Sequence, residues 1–195
     1  MESKHPLSSV IPTLEGPVLE VLAGTNLPLT LTDVHRSIGP SAASLRGVRR
    51  ALGRLCEGSV VLKVPGGFLL NRDHVATSGI LALVGMRSQL YERIAADLAG
   101  WQPPASAAGI FGSFARKDGT ADSDIDLVVR GDDLDPTLVD DLATKVEAWT
   151  GNPCHIVVVD RAALRRMRRH NDPLLDSWAT DLIVVHGDAK ELVGT

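Results

Sequence analysis

The first half of the chain alternates apolar and polar positions at helical spacing, broken by glycines and prolines. Leu14, Val18, Val21 and Leu22 fall on one helical face, and Gly24 ends that helix. A second short helix is predicted over 30–36, capped by Thr30 or Thr32, with Val34 and Ile38 facing inward and Gly39-Pro40 breaking the chain. Ser41 is the expected cap of a third helix reaching about Glu57. Its inner face is Leu45, Val48, Leu52 and Leu55, its outer face carries Arg46, Arg49, Arg50 and Arg54, and Gly58 stops it. Apolar runs over 60–64 and 68–70 flank Pro65-Gly66-Gly67 and read as a β-hairpin. Residues 1–12, with Pro6, Pro12 and two adjacent serines, read as a loose arm. One long helix is predicted from 78 to about 98, ended by Pro103 and Pro104 just past Trp101.

Beyond that break the elements alternate. Strands are predicted over 107–111, 125–129 and 156–159, and a last one over 182–185. Helices are predicted over 136–149, 161–170 and 173–178, with a short one at the C-terminus. The expected fold class is α+β, and the second half is a small α/β layer structure with a mixed sheet. The expected division is a domain over 1–76, a linker helix over 77–100 and a domain over 101–195.

Three helices followed by a hairpin is an order that resembles the winged helix-turn-helix family. The resemblance implies contact with double-stranded DNA. If the third helix enters a major groove, Arg46, Arg49 and Arg50 reach phosphates or base edges, and Lys63 and Arg72 flank the wing. The same layout also serves protein contact or dimerisation.

Composition narrows the partners. Hydrophobic residues are 44% of the 195, enough for a core, while the net charge of −4 gives no global sign of nucleic-acid binding. Aromatic residues are only 4%, which argues against reading single strands by base stacking. Cys56 and Cys154 form neither a disulfide framework nor a metal knuckle and read as small buried hydrophobes in a reducing compartment. No apolar stretch has signal-peptide or membrane-span length, so the expected location is cytoplasmic, with no membrane contact.

The stretch carrying chemistry covers 109–129, GIFGSFARKDGTADSDIDLVV. Gly112 lets a backbone approach a phosphate closely, and Ser113 opens a helical turn whose free N–H groups favour an anion. Asp124 and Asp126 alternate along a strand and so project from one face. Two adjacent carboxylates repel unless a divalent cation sits between them, and hard oxygen ligands beside a triphosphate suit Mg²⁺. An acidic surface loop through Asp118, Asp122, Asp124 and Asp126 is the plainer alternative, but Asp126 lies between Ile125 and Leu127, where a free carboxylate is costly.

Gly-Ser, about ten residues, then Asp-x-Asp resembles the nucleotidyltransferase signature of the polymerase beta superfamily, over roughly 105–187. It is most similar to the minimal group found in prokaryotic antitoxin-like proteins. The resemblance implies that Gly112 and Ser113 hold β- and γ-phosphates and that Asp124 and Asp126 hold metal. A third carboxylate belongs on the next long strand. His155 stands at that position here, while Asp160 lies at the strand's far end in the opposite face phase. His155 either accepts a proton from an acceptor hydroxyl or has no role. The family's glycine after arginine is replaced by Lys117, so Arg116 and Lys117 either contact phosphate or are merely exposed.

The expected activity is Mg²⁺-dependent transfer of a nucleoside monophosphate from an NTP to a protein, RNA or small-molecule hydroxyl, aimed by the winged-helix module. The alternative is a DNA-binding regulator or antitoxin with a degenerate transferase domain. Expected partners are the NTP, duplex DNA, a toxin protein or RNA, and a second copy in a homodimer. Arg161, Arg165, Arg166, Arg168, Arg169 and His170 crowd one predicted helix with no acid among them. They read either as a grip on RNA, a triphosphate or an acidic partner, or as a solvated basic face.

Overall fold

The computed structural model describes residues 1, 4–119 and 123–193, so Asp122 of the acidic loop lies outside the described residues. The chain divides into two compact units, His5–Arg87 and Ser88–Thr195, the second joined by Met1–Lys4.

In the first unit, helices α1 (Glu15–Ala23), α2 (Leu31–Ile38) and α3 (Leu45–Glu57) pack on one another around Val18, Leu22, Val34, Ile38, Val48 and Leu52. Thr30 caps α2 through a reciprocal box with Asp33, each side chain bonding the other's backbone N–H at 3.2 Å. The cap of α3 is Ser44 rather than Ser41; its Oγ accepts from Gly47 N at 3.1 Å. The later start places Leu45 in the first turn, 41% exposed, and the buried residues of the helix are Val48, Ala51 and Leu52. Strands β1 (Val61–Val64) and β2 (Gly67–Leu70) form the expected antiparallel hairpin, turning at Pro65-Gly66. A Cβ on Gly67 would meet Leu29 O at 2.1 Å, because Leu29 and Phe68 exchange backbone hydrogen bonds at 3.0 and 2.8 Å.

Two expectations fail here. The arm is not loose: Pro6–Ser9 form a 3-10 turn, and Leu7 is fully buried in the first unit's core. The single long helix is broken at Gly85 into α4 (Thr77–Val84) and α5 (Met86–Leu98). Ile80 of α4 joins the first core, whereas Leu90, Ile94 and Leu98 of α5 join the second. Each half buries its apolar stripe in a different unit, and Gly85 is where the stripe changes sides.

The second unit holds a four-stranded mixed sheet in the order β5 (Cys154–Val159), β4 (Ile125–Arg130), β3 (Ala107–Phe111), β6 (Ile183–Gly187). β3 runs antiparallel to both neighbours, and β4 and β5 are parallel. Ile110, Ile125, Leu127 and Val129 face α5 and α7 (Pro136–Thr150). The opposite phase, Ala107, Phe111, Val128 and Val159, faces α8 (Arg161–His170), α9 (Pro173–Asp181) and α10 (Lys190–Val193). Burial on both faces explains why the central strands β3 and β4 read as continuous apolar runs. Among the described residues, no helix is long and apolar enough to cross a membrane.

Candidate active site

Strand alternation fixes which face the acids occupy. Asp126 shares the phase of Val128 and so points to the α8–α9 side, at the N-terminal end of β4. β5 starts at Cys154, two residues before the predicted strand. That start brings His155 into register with Asp126, with Phe111 opposite on the other neighbour. Asp124 lies one residue before β4 in the same phase, and its Oδ2 is 3.5 Å from His155 Nδ1. The residues on either side of Asp124 are tied to β5's approach: buried Asn152 donates to Ser123 O at 2.9 Å, and Ile125 N donates to Pro153 O at 2.8 Å. Asp160, the other candidate for the third position, caps α8 through Ala163 N at the far end of β5, away from the pair.

A short helix, α6 (Gly112–Arg116), turns the chain directly off β3. Gly112 has φ +72°, and a Cβ there would sit 2.5 Å from Asp126 Oδ2. The glycine is therefore required by the Asp126 carboxylate itself, independently of any phosphate. Phe111 is held below the turn by an edge-to-face contact with buried Trp178, centroids 5.8 Å apart. Lys117 ends α6 at φ +63°, the left-handed conformation for which glycine is best suited, and its side chain is exposed.

Sequence reasoning missed Asp181. It is the last residue of α9, its side chain only 7% exposed, and its Oδ2 accepts from Arg116 Nη1 at 2.7 Å. Arg116 also reaches Asp118 Oδ2 at 3.0 Å. The guanidinium expected on phosphate is thus held between two carboxylates. No short motif in PLLDSWATD marks Asp181; only the packing of α9 on α6 brings it close.

Burial pushes the Asp126 carboxyl above its usual range, and the negative charges of Asp124 and Asp181 push the same way, against His155 and Arg116. No hydrogen bond supports the ionised form among the described residues. A half-buried carboxylate with acid neighbours and no donor gains from a cation. Among the described residues no three His, Cys, Asp or Glu side chains are grouped to hold a metal alone.

In the first unit, Arg46, Arg49 and Arg50 lie exposed on α3, and Lys63 is exposed on β1. Arg54 instead bonds Glu15, and Arg72 donates to Ala23 O and Thr25 O at 2.8 and 3.1 Å, closing the end of α1 rather than flanking the hairpin. No curated protein and no solved structure matches the chain. Residues 97–176, which run from the end of α5 into α9 and contain Gly112, Ser113, Asp124, Asp126 and His155, are similar to the family described as the nucleotidyltransferase domain, and this match supports placing the second unit in the nucleotidyltransferase superfamily.

Proposed function

We propose that the second unit transfers a nucleoside monophosphate from an NTP to a hydroxyl on a protein, RNA or small molecule in the presence of Mg²⁺. The observation that carries this reading is the convergence of Gly112, Asp124, Asp126 and His155 at one end of the sheet, inside the segment that matches the nucleotidyltransferase family.

Two carboxylates are too few for a closed protein cage, but Mg²⁺ characteristically takes one or two carboxylates and completes its shell with phosphates and water. The donor set fits that use. Asp124 and Asp126 would hold the ion, which supplies charge neutralisation on the phosphates when bound. Gly112 admits the triphosphate close to the backbone, and the Ser113 hydroxyl adds a donor. Lys117, exposed beside the turn, is the cation available for phosphate, while Arg116 fixes the turn through Asp118 and Asp181. The acceptor oxygen forms a bond to the α-phosphorus, the bond from that phosphorus to the bridging oxygen breaks, and pyrophosphate leaves. His155 takes the hydroxyl proton.

Incubation with labelled NTPs, Mg²⁺ and candidate acceptors tests this, wild type against the double substitution Asp124→Ala and Asp126→Ala. Label in the wild type alone is expected, and equal labelling in both sinks the reading.

A second reading is a DNA-binding regulator in which this domain is a sensor. It is favoured by His155 in the place of an acid, and by Arg46, Arg49, Arg50 and Lys63 exposed on a three-helix-and-hairpin unit of winged-helix layout. Duplex DNA from the region upstream of the gene should be retarded at low salt, and retardation should weaken as salt rises. Absence of any shift at low salt removes this reading.

A further inference from the structure

At the end of the sheet away from the acid pair, one helix presents a face of arginines. Asp126 and Arg130 lie four residues apart on β4, about 13 Å along the strand. At the Arg130 end, α8 leaves β5 and crosses the sheet on Leu164, its one fully buried side chain. Arg161, Arg165 and Arg168 recur at i, i+4 and i+7, so they line one face of α8 over about 10 Å. With Arg130, Lys190 and Glu191 they border an open cleft of about 360 Å³. Arg168 and Arg165 also border a second hollow, of about 340 Å³, beside Arg169.

The only acid bordering the larger cleft, Glu191, is paired with Arg130. The side chains of Arg161, Arg165, Arg168 and Lys190 form no ion pair among the described residues, although the backbone N–H groups of Arg161 and Lys190 donate to Asp132 Oδ1 at 3.3 Å and Asp188 Oδ1 at 2.9 Å. Arg130 itself is mostly buried; its Nη1 donates to Ser106 Oγ at 2.9 Å, and its Nε is buried with no acceptor. A buried guanidinium N–H with no acceptor, beside four side-chain cations that form no ion pair, favours an anion that completes the set. Five arginines without an acid on one ten-residue helix, in a chain of net charge −4, make this a local electrostatic feature rather than a consequence of overall charge.

We propose that this cleft is a nucleic-acid site, in which Arg161, Arg165, Arg168 and Lys190 grip successive phosphates of a phosphodiester backbone. A row of cations about 10 Å long fits a linear polyanion better than one isolated phosphate, and arginine's planar fork suits phosphate oxygens. The cleft offers no aromatic side chain among its bordering residues, so it holds the backbone and does not read bases. The site is separate from the acid pair and shares no residue with α3, and its occupancy does not depend on the transfer reaction.

Binding of the full-length protein to a labelled 20-nucleotide RNA and to a 20-base-pair DNA duplex, without NTP, across a salt series tests the proposal. The triple substitution R161Q, R165Q and R168Q alters only exposed side chains, and its thermal melt should match the wild type. It should weaken binding of the preferred polymer about ten-fold or more at low salt and flatten the log–log salt slope by about two to three. The lysine triple R161K, R165K and R168K should keep most of that slope. The R46Q, R49Q and R50Q variant should lose duplex binding at the first unit and leave the α8-dependent component in place. The larger loss identifies RNA or DNA as the source of the phosphates. The proposal is overturned if the wild type binds neither polymer. It is equally overturned if the glutamine triple binds both with unchanged affinity and slope, or if that variant loses only inorganic phosphate or ATP.

Discussion

Nδ1 of His155 stands 3.5 Å from Oδ2 of Asp124, on a residue whose backbone is in register with Asp126. One imidazole therefore faces both carboxylates from the neighbouring parallel strand, at the position where a third acid is expected from the family resemblance. If His155 accepts the acceptor's proton, His155→Gln should lower kcat about 100-fold with little change in KM for the NTP, since general-base catalysis typically contributes on the order of 10² to 10⁴. Steady-state transfer assays on the two proteins check this. An unchanged kcat removes His155 from the chemistry and leaves it as a surface residue of the strand end.

The Asp-x-Asp pair was legible because a strand has period two: acids two apart share a face wherever the strand starts. His155 was legible for the same reason, once β5 was placed beside β4. Asp181 was not. Its approach to Asp126 depends on α9 packing against α6, a contact between elements far apart in the chain that leaves no periodic trace. The break at Gly85 was hidden for a different reason. The apolar spacing continues through 78–98, and only the division of burial between two cores reveals two helices. Ser41 was expected to cap α3, but Ser44 does so through Gly47 N, with Ala43 buried just ahead of the helix.

Two positions at the ends of α6 with left-handed backbone respond in opposite directions. At Gly112, alanine adds both left-handed strain and a Cβ 2.5 Å from Asp126 Oδ2. Gly112→Ala should cost about 1–2 kcal/mol of stability and displace the Asp126 carboxylate, abolishing transfer. At Lys117, φ +63° already carries that strain, and Lys117→Gly should gain about 0.5–1 kcal/mol. Denaturant melts of the two variants give the signs. If Lys117 is the phosphate cation, Lys117→Gly also raises KM for the NTP while it stabilises the fold.

Arg116 joins α6 to the end of α9 through Asp181, whose carboxylate is nearly enclosed. Removing the arginine leaves that charge without its partner, whereas removing both leaves nothing uncompensated. Arg116→Met should lower Tm by a few degrees, and adding Asp181→Asn should recover part of the loss. Asp181→Asn alone also removes one of the charges that push the Asp126 carboxyl up, so Asp126 should ionise at lower pH. Carboxyl titration by NMR in the two backgrounds measures that shift; no movement separates Asp181 from the site.

Cys154 opens β5 one residue before His155, and burial pushes its thiol up to about 12, helped by the nearby charges of Asp126 and Glu147. Burial raises the Cys56 thiol as well. The thiolate is the reactive form, so at pH 8 only about one Cys154 in ten thousand is ionised. Native protein should therefore react slowly with a disulfide reagent such as DTNB, at a rate set by opening of the fold, and both thiols should react at once in denaturant. The same shift sets a pH dependence. In the unfolded chain the thiol ionises near its ordinary value of 9.0, so between pH 9 and 12 the unfolded state binds fewer protons than the native state. Stability is then unaffected by this group below pH 9 and falls as pH rises through that window. Urea unfolding at pH 8, 9.5 and 10.5 should show the decline, and Cys154→Ala should flatten it whatever that substitution does to stability at pH 8. A decline of equal slope in Cys154→Ala would assign the alkaline loss to other groups.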